Sequence, residues 1–68
     1  MYYRRMRPDL RSAREARKLS QIKLAELIGK DQAYVSRLES GEYKADPQIA
    51  RLLSKALRIP LMRVLYPQ

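Results

Sequence analysis

Residues 21–41, QIKLAELIGKDQAYVSRLESG, carry two short helical patterns separated by a single break. Leu24 and Ile28 lie four positions apart in the first pattern, and Val35 and Leu38 lie three positions apart in the second. Spacings of three and four residues place apolar side chains on one face of a helix. The stretch therefore predicts a helix over 21–28, a turn over 29–31 and a second helix over about 32–40.

The residues at the break suit the end of one helix and the start of the next. Gly29 can take, without steric cost, the left-handed backbone conformation that follows many helices. Asp31 and Ser20 each precede a predicted helix, where a side-chain oxygen can accept hydrogen bonds from free backbone N–H groups. Ala25 is small, as required where two helices cross steeply. Two such helices joined by a short turn containing glycine are typical of a helix-turn-helix, so we expect the second helix to enter a DNA major groove.

Three further helices flank this motif. Pro8-Asp9 resembles a helix start, and the helical pattern continues to about Lys18. Asp46-Pro47 begins another helix, whose apolar positions form the stripe of a half-buried helix: Ile49, Leu52, Leu53, Ala56 and Leu57. A last short helix covers about 61–66. Because no alternating strand pattern occurs after Pro8, we predict an all-α domain of five short helices.

The composition limits the classes of function. The chain has 68 residues, which fits one small domain, and it contains neither cysteine nor histidine. These absences remove disulfides, thiolate and imidazole metal sites and a histidine base, so we expect neither an enzyme nor a cofactor. The formal net charge of +8 favours a polyanionic partner, most simply nucleic acid, although a merely solvated basic surface is the alternative. No apolar run approaches the ~18 residues of a membrane span and no signal-peptide pattern is present, so we expect a cytoplasmic location without membrane association.

Residues 1–7, MYYRRMR, are predicted to lie outside the folded domain, which we place at residues 8–68. This segment has three arginines and two tyrosines without helical periodicity. Three interpretations stay open: a basic arm that touches phosphates, a short strand, or a poorly ordered terminus.

A longer set of positions resembles the Cro/repressor-type (XRE) helix-turn-helix family, whose pattern is roughly L-[ST]-Q-x-x-L-A-x-x-[LI]-G-x-[ST]-x-x-x-[IV]-S-x-[ILW]-E-x-G. The matching residues are Leu19, Ser20, Gln21, Leu24, Ala25, Ile28, Gly29, Val35, Ser36, Leu38, Glu39 and Gly41. The resemblance implies a compact five-helix, lambda-repressor-like fold that binds DNA. Three residues depart from the family. Asp31 stands where the pattern has Ser or Thr, which substitutes one good helix cap for another. Lys30 replaces an apolar residue beside the turn, where we expect poorer packing. Arg58 replaces a glycine that commonly ends the fourth helix, so the resemblance does not determine the geometry of the last turn.

The resemblance implies that the third helix supplies the base contacts, through Gln32, Ala33, Tyr34 and Arg37. Glutamine can pair with adenine, arginine with the O6 and N7 atoms of guanine, and alanine can contact only the thymine methyl group. Gln32 and Arg37 could instead be solvated surface residues, and Tyr34 could equally pack on a neighbouring helix.

Phosphate contacts are implied for Gln21, Ser36, Lys44 and Arg14. Gln21 opens the second helix, whose N–H groups and dipole favour an anion. Ser36 could instead support packing. Lys44 lies in the loop after the third helix, and we expect the acidic residues of that loop, Glu42 and Asp46, to point away from the DNA.

Arg14 and Glu39 are also expected to pair with each other. Glu39 lies near the C-terminal end of its helix, where a negative charge opposes the helix dipole unless a cation is close. The resemblance implies that this pair ties the first helix to the third. Together with Ala25 and Gly29, these two residues are predicted to support the site structurally.

These expectations combine into a transcriptional regulator, most simply a repressor, that binds double-stranded DNA as a homodimer. The candidate dimer surface is the last helix, through Leu61, Met62, Val64, Leu65 and Tyr66, although these residues could simply close the core. One alternative is an antitoxin that represses its own operon and also binds a toxin protein. Another is a protein-interaction module that uses the same fold without reading DNA.

Overall fold

A computed structural model describes residues 6–66, which form five α-helices. They are α1 (Pro8–Ala16), α2 (Gln21–Ile28), α3 (Gln32–Glu39), α4 (Pro47–Leu57) and α5 (Leu61–Leu65). The all-α, five-helix prediction is confirmed, and every predicted helix end lies within two residues of the observed one. Residues 1–5 of the predicted arm lie outside the described residues.

Side-chain caps begin three of the helices where the sequence predicted them. Ser20 accepts a hydrogen bond from the backbone N–H of Lys23, at 3.0 Å, at the start of α2. Asp31 accepts from Tyr34 N–H at 2.9 Å in α3, and Asp46 caps α4 in the same way. The Asp46 carboxylate therefore points into its own helix rather than toward the neighbouring loop.

The backbone turns that end α2 and α4 are alike. Gly29 has φ +71°, and the N–H of Lys30 donates to the carbonyl of Ala25 at 2.8 Å. Arg58 has φ +57°, and the next N–H reaches back to the carbonyl of Ser54 at 3.2 Å. Arg58 itself adopts the left-handed conformation that glycine favours, so the turn that ends α4 is retained without the glycine. For a residue with a side chain this conformation costs roughly 1–2 kcal/mol.

The core lies where α1, α2, α3 and α4 meet and is closed by one residue of α5. Its buried apolar residues are Leu10, Leu24, Ala25, Ile28, Val35, Leu38, Ile49, Ala50, Leu53, Leu57 and Val64. Leu52 is a correction to the predicted stripe of α4, since 39% of its surface is exposed. The neighbouring Ala50 is fully buried instead. The buried face of α4 is therefore rotated slightly from the face that the spacing predicted.

Helix α5 divides its residues between the core and the surface. Val64 is buried, and Leu61 and Leu65 pack partly against the core. Met62 and Tyr66 are each 64% exposed, and the Tyr66 N–H donates to the Met62 carbonyl, so the two side chains share one outward side. Core closure and an exposed apolar surface are both present in this helix. Among the described helices, none has the length and apolar character needed to cross a membrane.

The last residue of the predicted arm belongs to the folded domain. Arg7 is buried, and its backbone N–H donates to the Glu39 carbonyl at 2.9 Å. Its guanidinium donates to the carbonyls of Arg63 and Val64, at 3.1 and 3.2 Å, and to the carboxylate of Asp9. The sequence did not indicate this burial, because an arginine just before a helix gives no apolar signal. Arg7 ties the start of α1 to the ends of α3 and α5.

Candidate nucleic-acid interface

Helix α3 has one face in the core and one face in solvent. Val35 and Leu38 are buried, as their spacing predicted. Four of the five α3 residues predicted to contact DNA are exposed: Gln32, Ala33, Ser36 and Arg37. A short helix with a polar outer face, held by apolar residues on the opposite side, can be presented to a partner without unfolding any core contact.

Hydrogen bonds connect the buried Glu39, at the end of α3, through Gln21 to the exposed Gln32, at the start of the same helix. Arg14 Nε donates to Glu39 Oε2 at 2.6 Å, so the predicted ion pair is present, with both side chains about nine-tenths buried. Gln21 donates to the other carboxylate oxygen of Glu39 at 3.0 Å, and its own amide oxygen accepts from Gln32 at 3.4 Å. The amide of Gln21 is therefore oriented by a buried charge, and it orients Gln32 in turn.

The guanidinium of Arg14 is fully engaged in this network. Besides its two bonds to Glu39, it donates to the backbone carbonyl of Leu19 at 2.8 Å. The hydrogen bonds to Glu39 raise the pKa of Arg14 above its usual range, against the opposing effect of burial. Such a group is suited to holding α1 against α3. Ser36 and Lys44 are the exposed members of the predicted phosphate set, and Gln21 is half-buried.

Tyr34 is partly buried against the core, which is the packing arrangement left open by the sequence. Its ring lies 5.3 Å from the ring of Tyr43 in a tilted arrangement. The ammonium of Lys30 lies 5.1 Å from the Tyr34 ring centroid, a distance that permits a cation–π contact. Burial raises the pKa of the Tyr34 hydroxyl, with a smaller contribution from the charge of Asp46. Lys30 thus covers an aromatic surface from outside and does not fill the core.

Arg37 is held by the loop that follows α3. Its Nε lies 2.9 Å from Oε2 of Glu42, and its guanidinium carbon lies 5.7 Å from the centroid of the Tyr43 ring. The carboxylate of Glu42 thus contacts a predicted base reader, and its expected direction relative to DNA stays a prediction. Neither Glu42 nor Tyr43 was predicted as part of the site. Only the turn after Gly41, which folds the loop back onto the helix, brings them there.

Two open clefts, of about 440 and 460 Å³, flank α3. The first is lined by Gly29, Lys30, Asp31, Tyr34, Arg37 and Tyr43. The second is lined by Met6, Arg11, Arg14, Gln21, Ser36, Glu39 and Ser40. The second cleft brings Gln21 and Ser36 together and adds the exposed Arg11, a cation that the sequence reasoning left out. Arg11 and Arg14 both line this cleft, and their spacing of three residues along α1 is the sequence signal that could have identified Arg11.

The remaining predicted residues take separate positions. Lys44 is exposed in the loop between α3 and α4, away from the core. Ala25 is buried under the turn, and Gly29 stops α2 as predicted. Among residues 6–66, no group of three or more His, Cys, Asp or Glu residues is arranged to hold a metal ion.

The comparison with known families agrees with this geometry. A family model described as helix-turn-helix matches residues 10–63, which span the described domain from α1 into α5. No curated protein sequence gives a significant match to the chain.

Proposed function

Because the chain belongs to the helix-turn-helix family of the Cro/repressor (XRE) type, whose members are DNA-binding proteins of the transcription-regulator kind, we propose that it is a sequence-specific repressor. Helix α3 would lie in the major groove of double-stranded DNA. The observation that carries this proposal is the polar face of α3, held in place by the Glu39, Gln21 and Gln32 hydrogen bonds. No catalytic step is part of the proposed function.

Base recognition is assigned to the exposed residues of α3. Gln32 would pair with adenine, Arg37 with guanine, and Ala33 would contact a thymine methyl group. Tyr34 has the weakest claim among the four predicted base readers, because its ring is engaged with the core, Tyr43 and Lys30. Its hydroxyl edge is the part left to reach DNA.

Phosphate binding is assigned to residues on both sides of α3. Gln21, Ser36 and Arg11 line one cleft, and Lys44 lies in the loop on the other side. The free N–H groups at the start of α2 add a partial positive charge beside Gln21. Arg14 would act mainly by fixing Glu39 and Gln21, so its predicted phosphate contact is secondary. The net charge of +8 supports an affinity dominated by counterion release.

One recognition helix reads only a few base pairs, so the proposal includes a homodimer on a two-fold operator with half-sites about one helical turn apart. The exposed pair of Met62 and Tyr66 supports α5 as the dimer surface. The same pair would also suit a toxin or another protein, which is the antitoxin alternative. Purification from the native host would distinguish the two, since an antitoxin carries a small partner protein at fixed stoichiometry.

The experiment is selection of bound sites from a randomised duplex pool, followed by titrations at two salt concentrations. We expect an inverted repeat and an affinity that falls steeply with salt. Arg37→Ala should relax one position in each half-site, at about 1–3 kcal/mol, whereas Lys44→Ala should weaken all sites alike. Binding that is absent or independent of salt would reject the proposal in favour of a protein-interaction module. Uniform weakening by Arg37→Ala would reject its role as a base reader.

A further inference from the structure

The loop after α3 folds back onto that helix, and most of its contacts there are with Arg37. The backbone N–H groups of Glu42 and Tyr43 both donate to the Arg37 carbonyl, at 2.9 and 3.1 Å. The side chains of the same two residues then contact the Arg37 guanidinium. Glu42 and Tyr43 therefore hold both the backbone carbonyl and the side chain of Arg37. This arrangement separates Arg37 from an ordinary surface arginine, whose long side chain samples many rotamers.

The contacts occupy one particular edge of the guanidinium. A guanidinium presents a side edge that includes Nε and an end edge formed by the two Nη atoms. Glu42 lies at Nε, at 2.9 Å. The end edge carries one long contact, from Nη1 to the Tyr43 hydroxyl at 3.5 Å. Because this last contact is at the outer limit of a hydrogen bond, it is easily exchanged for a better acceptor.

We propose that Glu42 is a specificity-determining positioning residue, which holds Arg37 by Nε so that its two Nη atoms meet the O6 and N7 atoms of guanine end-on. Tyr43 supports the same orientation from the side, with its ring packed on Tyr34. The inference rests on the proposed DNA-binding function and adds to it the residue that orients Arg37.

The negative charge of Glu42 has a second effect that follows from the same contact. A free arginine at a DNA surface is attracted to the nearest phosphate, which carries no sequence information. Glu42 competes with phosphate for Nε and also repels the backbone. It therefore lowers sequence-independent affinity and keeps Arg37 available for a base. Removing Glu42 should raise binding to random DNA while discrimination at one position falls.

The experiment compares four duplexes that differ only at the base pair whose preference is lost in Arg37→Ala. The wild-type chain should prefer the G·C pair by roughly 5- to 150-fold, the range expected for one bidentate contact. Glu42→Ala should reduce this preference to a few-fold and should strengthen binding to random duplex DNA. In a chain that also carries Arg37→Ala, the Glu42 substitution should leave base preference unchanged.

Two control variants separate position from charge. Glu42→Gln keeps the shape and an acceptor for Nε, so it should retain more preference than Glu42→Ala. Glu26→Gln removes the same charge from an exposed glutamate of α2 that pairs with Lys23 at 3.6 Å. It should change affinity for all four duplexes alike and leave base preference intact. Circular dichroism checks that each variant is folded.

Each outcome has a defined meaning. If Glu42→Ala and Glu26→Gln both raise affinity equally at all four duplexes, Glu42 contributes only charge and the inference is overturned. If the wild-type chain binds specifically but Arg37→Ala weakens all duplexes alike, the inference fails because Arg37 reads no base. If the wild-type chain shows no salt-dependent duplex binding, the proposed function itself fails, and the inference fails with it.

Discussion

Helix α3 contributes one residue to each of two arginine–glutamate pairs, which have the same chemistry in different surroundings. The pair of Arg14 and Glu39 is about nine-tenths buried, with a donor–acceptor distance of 2.6 Å. The pair of Arg37 and Glu42 has side chains that are 50% and 41% exposed. In the buried pair every guanidinium nitrogen has an acceptor, whereas the exposed pair leaves one edge for a partner. Burial therefore distinguishes the two pairs: the buried pair ties α1 to α3, and the exposed pair leaves part of Arg37 open to solvent.

The largest expected effect is on the buried pair. Glu39→Ala would leave the Arg14 charge buried without its carboxylate and should cost about 3–5 kcal/mol in the free energy of unfolding. Glu42→Ala removes an exposed pair and should cost less than about 1 kcal/mol. Urea unfolding at neutral pH measures both.

Two further measurements make that contrast decisive. Added salt should reduce the contribution of the exposed pair and leave that of the buried pair nearly unchanged. If Glu39→Ala unfolds the domain outright, Glu39→Gln keeps the shape and should still cost clearly more than Glu42→Gln. Equal losses for the two glutamates would contradict the role assigned to burial.

A third arginine, Arg7, tests whether a buried guanidinium stabilises the domain without a glutamate partner. Its partners are Asp9 and two carbonyls at the end of α5. Arg7→Ala leaves buried carbonyls without donors, so we expect a loss of about 1–3 kcal/mol in unfolding free energy. Amide hydrogen exchange should also accelerate in α5, because its last turn loses its attachment to α1.

Arg11→Ala is the matched control for Arg7, since it removes an exposed arginine that pairs with Glu15 at 3.3 Å. It should change stability by less than about 1 kcal/mol and leave exchange in α5 as it is. Similar exchange rates in the two variants would show that Arg7 does not anchor the last helix.

The parts of this fold that follow local rules were predictable from the sequence. The helix ends at Gly29 and Asp31 depend on residues adjacent in the chain, and the spacing of Val35 and Leu38 identified the buried face of α3. The ion pair of Arg14 and Glu39 joins residues 25 positions apart and came from the family resemblance, although the helix dipole gave it a physical reason. Residues that are close in the chain therefore predict a helix and its caps.

Features that the sequence did not predict mostly depend on how elements meet. Leu52 is exposed because α4 is rotated slightly against its neighbours, and periodicity alone does not determine that angle. Glu42 reaches Arg37 only because the loop reverses after Gly41. At Arg58 the backbone turn that ends α4 is retained, although the glycine that commonly forms it is absent. The proposed base and phosphate contacts stay predictions, since they concern a partner rather than this chain.

The smallest expected effect concerns Asp9, whose pair with Arg7 is intermediate in burial between the other two pairs. The hydrogen bonds from Arg7 hold the pKa of the Asp9 carboxyl below its ordinary value, against a smaller opposing effect of burial. A lowered pKa in the folded state means that the pair stabilises the domain fully above the unfolded pKa of about 4 and loses this contribution as the pH falls through the folded value. Since Asp9 is about one-third exposed, the contribution should stay below about 1 kcal/mol. Urea midpoints of the wild-type chain and Asp9→Asn should therefore differ by a constant amount from pH 5 to 8 and converge toward pH 2. A difference that persists at low pH would mean that Asp9 acts through packing or capping rather than through its charge.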